Sequence, residues 1–327
     1  MTPMVSTTSG LSAKGEGLFA NLNLTPVYTN IWSTGGNAAG AGNGVFKIST
    51  TGTLLNYFTL AGGSTLFQIC PGNDGNMWCI DNGNLRIFKI TPTGTTSYYS
   101  APNAGGQSIK LGPDGNFWYT SGVNIVSKIT PTGTSTSYTL TSVSLTPAIN
   151  DLCVGSDGNI WCSDSANLTL IKLSTSGTQL AAYSTYSAVG WICLGGDGNI
   201  WGTTGDNYIV KCTPTGTATR YAISSGGYGY GITKGFDGNV YAIYDPSLTS
   251  TSCFIAKVTP SGTVTKYGSQ SFSYQICSGP DNNLWWTQGY SSFFGFNGSI
   301  TKTTTSGTST SYLTNRSDGL WASSPGY

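Results

Sequence analysis

The sequence predicts an all-β chain, a seven-bladed β-propeller of four-stranded antiparallel blades, and three observations carry that prediction. A turn motif, G-x-D-[GN]-N-x-[WY], recurs around Asp74, Asp114, Asp157, Asp197, Asp237 and Asp281. A second motif, a lysine followed by a Gly-Thr turn, recurs at Lys47, Lys89, Lys128, Lys172, Lys211, Lys257 and Lys302, spaced 39 to 46 residues apart. Between these turns lie short runs of alternating β-branched and aromatic residues, with no sustained apolar period of 3.6. Four short strands per unit of about 40 residues is the signature of a propeller blade.

The second unit shows how each element follows. Leu66–Cys70 is apolar and ends at the Asn73–Asn76 turn, Met77–Asp81 follows, and a turn at Asn82–Asn84 leads into Leu85–Thr91. Pro92–Gly94 then turns the chain into Thr95–Ser100. Asp-Gly and Asn-Gly supply the positive φ of tight turns, and Pro presets φ in Thr-Pro-Thr-Gly. Residues 1–20 read as a Ser/Thr/Gly-rich arm, 21–316 as the ring, and 317–327 as a tail that closes or covers the ring seam. That tail carries a worn motif copy, S-D-G-L-W, at Asp318.

Side-chain roles follow from position. The blade aromatics Trp32, Trp78, Trp118, Trp161, Trp201, Tyr241 and Trp285 are expected to pack between neighbouring blades. Ile69, Ile109, Leu152, Ile192, Ile232 and Ile276 form an aliphatic column expected on the innermost strands. The next column, Cys70, Lys110, Cys153, Cys193, Thr233 and Cys277, is chemically mixed, and Lys110 with Lys234 is within reach of a central channel. The turn aspartates are expected to bond nearby backbone N–H groups, and the lysines to decorate a solvated edge. If Asp-Gly is a two-residue turn, Cys70 opposes Cys79 and Cys153 opposes Cys162, giving two cross-strand disulfides; the alternative is buried free thiols.

Composition excludes several functions. Charged residues make up only 8% of the chain, and the 14 basic and 13 acidic residues form no basic patch, which argues against nucleic acid. Histidine is absent and Glu16 is the single glutamate, which removes the commonest general base and metal ligand. No Cys-x2-Cys pattern, phosphate-binding glycine motif or recommending carboxylate pair is present, so no metal site, cofactor or catalytic residue is expected. No apolar run is long enough for a membrane span, and the N-terminus has no apolar segment of the kind a secretory signal needs.

Departures from the repeat suggest where a partner binds. The spacing from blade aromatic to lysine is 10 or 11 residues in blades two to five, but 15, 16 and 17 in blades one, six and seven. These blades are neighbours in a closed ring, so their longer loops cluster. The blade-seven loop carries Tyr290, Phe293, Phe294, Phe296 and Asn297, a set suited to sugar stacking or a protein contact.

The repeated G-P-D-G-N-x-W … K-I-T-P-T-G-T-x-T-x-Y pattern resembles the streptogramin lyase (virginiamycin B lyase) family over residues 22 to 316. The resemblance implies the seven-bladed fold and a magnesium-dependent elimination that opens a cyclic depsipeptide, using histidines and acidic residues on one face. No histidine is available here and Glu16 precedes the ring, so no catalytic residue carries over. A polar, nearly uncharged Thr/Ser/Gly/Asn-rich surface without a secretory signal then gives the expectation of a non-enzymatic virion protein of a phage tail, fibre or capsid, exposed at the particle surface. It would attach to a host surface glycan or to another virion protein. The alternatives are a scaffold or decoration subunit without a ligand and an extracellular adhesin, with a lyase ranked last; assembly into a homo-oligomer is left open.

Overall fold

The computed structural model describes residues 28–36, 43–63, 65–121, 123–142, 144–223, 227–246, 253–270, 273–288, 299–313 and 319–326. They form seven four-stranded antiparallel sheets. The first strands of successive sheets touch one another in a closed cycle around an axis. This is an all-β seven-bladed propeller, and no described helix is long and apolar enough to cross a membrane.

Blade two comprises Leu66–Pro71, Met77–Asp81, Arg86–Ile90 and Thr96–Ser100, from the axis outward. Blades three to seven repeat this order. Blade one differs: Asn30–Gly36, Gly44–Ser49 and Leu54–Thr59 are its outer three strands, and Gly319–Gly326 from the other end of the chain is the innermost. The 1–20 arm and Asp318 of the worn copy lie outside the described residues, while Gly319–Trp321 of that copy begin the innermost strand.

Two faces result. The Asp-Gly-Asn turns and the Gly-Thr turns lie on one, here the turn face. The connections from second to third strand and from blade to blade lie on the other, here the loop face.

The turn face is held by a side-chain unit repeated round the ring. In blade four, Asp157 Oδ1 accepts from Asn159 N at 3.1 Å and from Trp161 Nε1 at 3.2 Å. Lys172 Nζ lies 3.2 Å from Asp157 Oδ2 and 5.3 Å from the Trp161 ring centre, and donates to Pro214 O of blade five at 3.0 Å. Tyr183 stacks on Trp161 at 5.5 Å and covers Gly216 of blade five, where an added Cβ would lie 2.0 Å from the ring. Gly216 has φ 95, so this turn requires glycine on both counts. The same Lys-to-carbonyl bridge joins blade one to two (Lys47 to Pro92 O), three to four, five to six and six to seven. Between blades seven and one, Lys302 reaches Thr50 O at 3.0 Å and Tyr312 covers Gly52.

This corrects the expectation of solvated edge lysines: each lysine spans an aromatic face and most are bonded to the neighbouring blade. The reason is that the aromatic shelters the aliphatic stem while the ammonium bonds carboxylate and carbonyl.

The disulfides are also corrected. Gly72 N donates to Asn76 O at 2.8 Å, so the hairpin loop has three residues, with Gly75 at φ 76. The extra residue shifts the register by one. Cys70 therefore opposes Trp78, and Cys79 opposes Ile69. Cys153 opposes Trp161 and Cys162 opposes Leu152 in the same way. A one-residue shift sends the two side chains to opposite faces of the sheet, and Cys70, Cys79, Cys153 and Cys162 are free thiols.

Candidate functional site

The aliphatic column is buried, and its neighbours on the inner strands shape the axis. Ser324, Cys70, Lys110, Cys153, Cys193, Thr233 and Cys277 each stand opposite a blade aromatic. Together they ring a channel cavity of about 380 Å³. Burial pushes the Cys70 thiol up to about 12 and Cys153 well above its ordinary value, so these thiols stay protonated at neutral pH.

Towards the loop face the inner strands bulge. Register shifts fall between Leu66 and Ile69, Ile149 and Leu152, Val189 and Ile192, and Gly229 and Ile232. A bulge re-aims side chains out of the sheet alternation, and here it turns Phe67, Trp191 and Tyr230 to the channel mouth. Hydroxyls of the preceding blades fix the bulged backbone: Thr34 to Phe67 O at 2.8 Å, Ser163 to Gly190 O at 2.7 Å and Thr203 to Tyr230 O at 2.9 Å.

Beside the mouth, between blades four and six, lies a groove of about 580 Å³. Its apolar wall is Leu168, Tyr186, Trp191, Tyr228 and Tyr230, and its polar edge includes Asn150, Ser165, Ser187 and Asp206. Tyr186 is 67% exposed. Tyr186 and Leu168 hold φ of 60 and 54, a left-handed conformation that costs energy in residues with a Cβ. Thr185 stabilises it by bonding Leu168 O and Ser187 O, both at 2.8 Å. Burial, with Asp245 nearby, pushes the Tyr230 phenol up to about 12, so it is a neutral hydroxyl.

Among the described residues Asp206 is the one carboxylate lining this groove, and it is engaged. Arg220 Nη2 and Ser187 Oγ each lie 2.9 Å from its Oδ2, and the guanidinium sits 3.8 Å from the Tyr208 ring centre. The groove therefore presents aromatic faces, hydroxyls and amides with little net charge.

Comparison with known proteins agrees with this architecture. The virginiamycin B lyase family profile matches residues 28–179 and 149–319, which together span most of the sequence. The chain belongs to the virginiamycin B lyase family. No curated protein matches the sequence. Selenomethionine-substituted virginiamycin B lyase from Staphylococcus aureus superposes with a TM-score of 0.66 at 20% identity, over 79% of this chain and 91% of that one. A catalytically inactive virginiamycin B lyase variant from the same organism, with quinupristin, gives a TM-score of 0.66 at 21% identity, over 81% and 94%. A functionally unknown protein from Desulfotomaculum acetoxidans gives 0.59 at 14% identity, over 90% and 99%. At these identities the likeness concerns fold.

The magnesium ion that the family resemblance implies does not fit the described residues. No three His, Cys, Asp or Glu side chains converge there to hold a metal ion. Asp206 is paired with Arg220, and the sequence has no histidine. No catalytic step is derived through such an ion.

Tyr290, Phe293, Phe294, Phe296 and Asn297 lie outside the described residues; the flanking strands, Leu284–Gln288 and Ser299–Thr303, lead to the loop face. The groove itself was not visible to sequence reasoning. Its signal was the column Gln68, Ser108, Asp151, Trp191, Gly231 and Gln275, where chemistry changes from blade to blade. The bulges that expose this column leave no mark in the repeat spacing.

Proposed function

We propose that this member of the virginiamycin B lyase family is a non-enzymatic attachment propeller, borne on a virion surface, that holds a neutral host glycan in the loop-face groove. The observation that carries the reading is an aromatic groove whose carboxylate is already paired. Sugar rings offer apolar faces for Tyr186, Tyr228 and Trp191, and hydroxyls for Asn150, Ser165 and Ser187. Pre-set, strained backbone at Leu168 and Tyr186 supports a binding role, because such strain persists where geometry matters. The virion setting rests on composition: a surface of Gly, Ser, Thr and Asn with few charges suits an exposed particle.

The test is a glycan array with the purified full chain, followed by Tyr186→Ala with Tyr228→Ala. The expected result is binding that the double variant loses while its melting temperature holds. Absence of any glycan signal, together with burial of the groove against a neighbouring subunit in the particle, would show a scaffold instead. Linearisation of a streptogramin in the presence of Mg²⁺ would show a lyase.

A further inference from the structure

We infer that the mouth of the central channel is an aromatic cage for an alkylammonium group, with Asp151 as its counter-charge. This goes beyond the glycan reading, because it concerns a cationic ligand on the axis.

The mouth is a cavity of about 260 Å³ whose walls are Phe67, Trp191, Tyr230 and Tyr274, with Gln68 and Gln275 between them. Tyr230 and Tyr274 meet edge to face, with centres 5.5 Å apart and planes at 85°. Aromatic side chains from blades two, five, six and seven line the space. A ring face is the negative end of the aromatic quadrupole, and enclosure by several faces is how proteins recognise quaternary ammonium. A neutral apolar ligand would need the walls alone.

A carboxylate in the adjoining channel adds to the preference for a cation. The cage adjoins the channel cavity, and the two spaces share Gln68, Trp191 and Gln275. Asp151 lines the channel, 2% exposed. Its Oδ2 accepts from Ile192 N, the residue after Trp191, at 2.9 Å. Its Oδ1 is buried without a hydrogen-bond partner, and among the described residues Asp151 forms no ion pair.

Its counterpart in blade two shows the contrast. Gln68 Oε1 accepts from Ile109 N at 3.1 Å and also from Ser108 Oγ and Lys110 Nζ at 3.0 and 2.7 Å. At that position an uncharged amide suffices to join one blade to the next. In blade four a carboxylate does the same with one oxygen and leaves the other unspent. A buried carboxylate oxygen without a partner is costly, and a cation seated in the cage above would offset that cost. Lys110 is committed to Gln68, not to Asp151.

The experiment is calorimetric titration of the full chain with choline. The control is its uncharged isostere, in which tert-butyl replaces trimethylammonium. We expect choline to bind about tenfold tighter than the isostere, the scale of a desolvated cation–π contact. Asp151→Asn keeps an acceptor for Ile192 N and should reduce that preference, leaving only the share owed to the rings, with isostere affinity in place. Tyr274→Leu, in the opposite wall, should weaken choline independently. Equal affinity for both ligands, no choline binding to the folded chain, or full preference retained in Asp151→Asn would overturn the proposal. The wild-type comparison decides the matter even if a variant does not fold. Failure of the glycan array leaves it standing.

Discussion

The two faces of the ring are built on opposite rules. On the turn face one solution recurs: aspartate, indole, lysine and tyrosine interlock, and the lysine and tyrosine reach the next blade. On the loop face each blade differs, with Gln68, Asp151, Trp191 and Gln275 at equivalent places. Repetition supplies cohesion, and a binding surface can vary because the opposite side already closes the ring. Substitutions that destroy stability should therefore lie on the first face, and those that destroy recognition on the second.

The largest break expected is Trp161→Ala. The side chain is fully buried and bonded to Asp157, and removing such a residue costs about 3–5 kcal/mol. Denaturant unfolding should show that loss, and an unfolding midpoint unchanged from wild type would contradict the cohesive role. Next is Gly177→Ala, where φ is 87 and a Cβ would lie 2.0 Å from the Tyr138 ring. It should destabilise by more than ~1 kcal/mol, whereas Gly105→Ala, with open space around it, should be close to neutral.

A third effect is acid lability confined to the turn face. Burial alone would raise the Asp237 carboxyl, but hydrogen bonds from Lys257, Asn239 and Tyr241 more than offset it and hold it at about 2. Asp74, Asp114, Asp157, Asp197 and Asp281 are lowered too, against burial, by their own bonded partners. A depressed carboxyl contributes stability above its unfolded value of ~3.9, and loses it as pH falls through the folded value. The melting temperature should therefore drop between about pH 4 and pH 2. Asp237→Asn should flatten part of that drop; an identical pH profile would refute the assignment. The smallest effect is Tyr186→Ala on stability, within about 0.5 kcal/mol, even where it abolishes binding.

Much of the turn face was legible in the sequence, because seven copies of a turn expose which positions are held constant. The strands of blade two follow their predicted spans closely, Met77–Asp81 among them. The disulfide expectation failed over a single residue of loop length, since Asp-Gly reads as a two-residue turn when the hydrogen bond actually joins Gly72 to Asn76. The lysines misled because a charge at each repeat looks like surface, and only coordinates show the aromatic beneath it. The groove was hidden for a different reason: loop-length differences pointed to blades six, seven and one, while bulged inner strands of blades four to six kept normal spacing.

Blade one takes its innermost strand, Gly319–Gly326, from the far end of the chain, pairing it with Asn30–Gly36. A growing chain cannot shut the circle until Gly319–Gly326 has emerged from the ribosome. Before that moment the inner edge of Asn30–Gly36 has no partner within its own blade, and the first and seventh blades can meet only through their outer strands. Emergence of this strand thus becomes a condition of completing the fold, and a chain lacking it is left with an unpaired inner edge in its first blade.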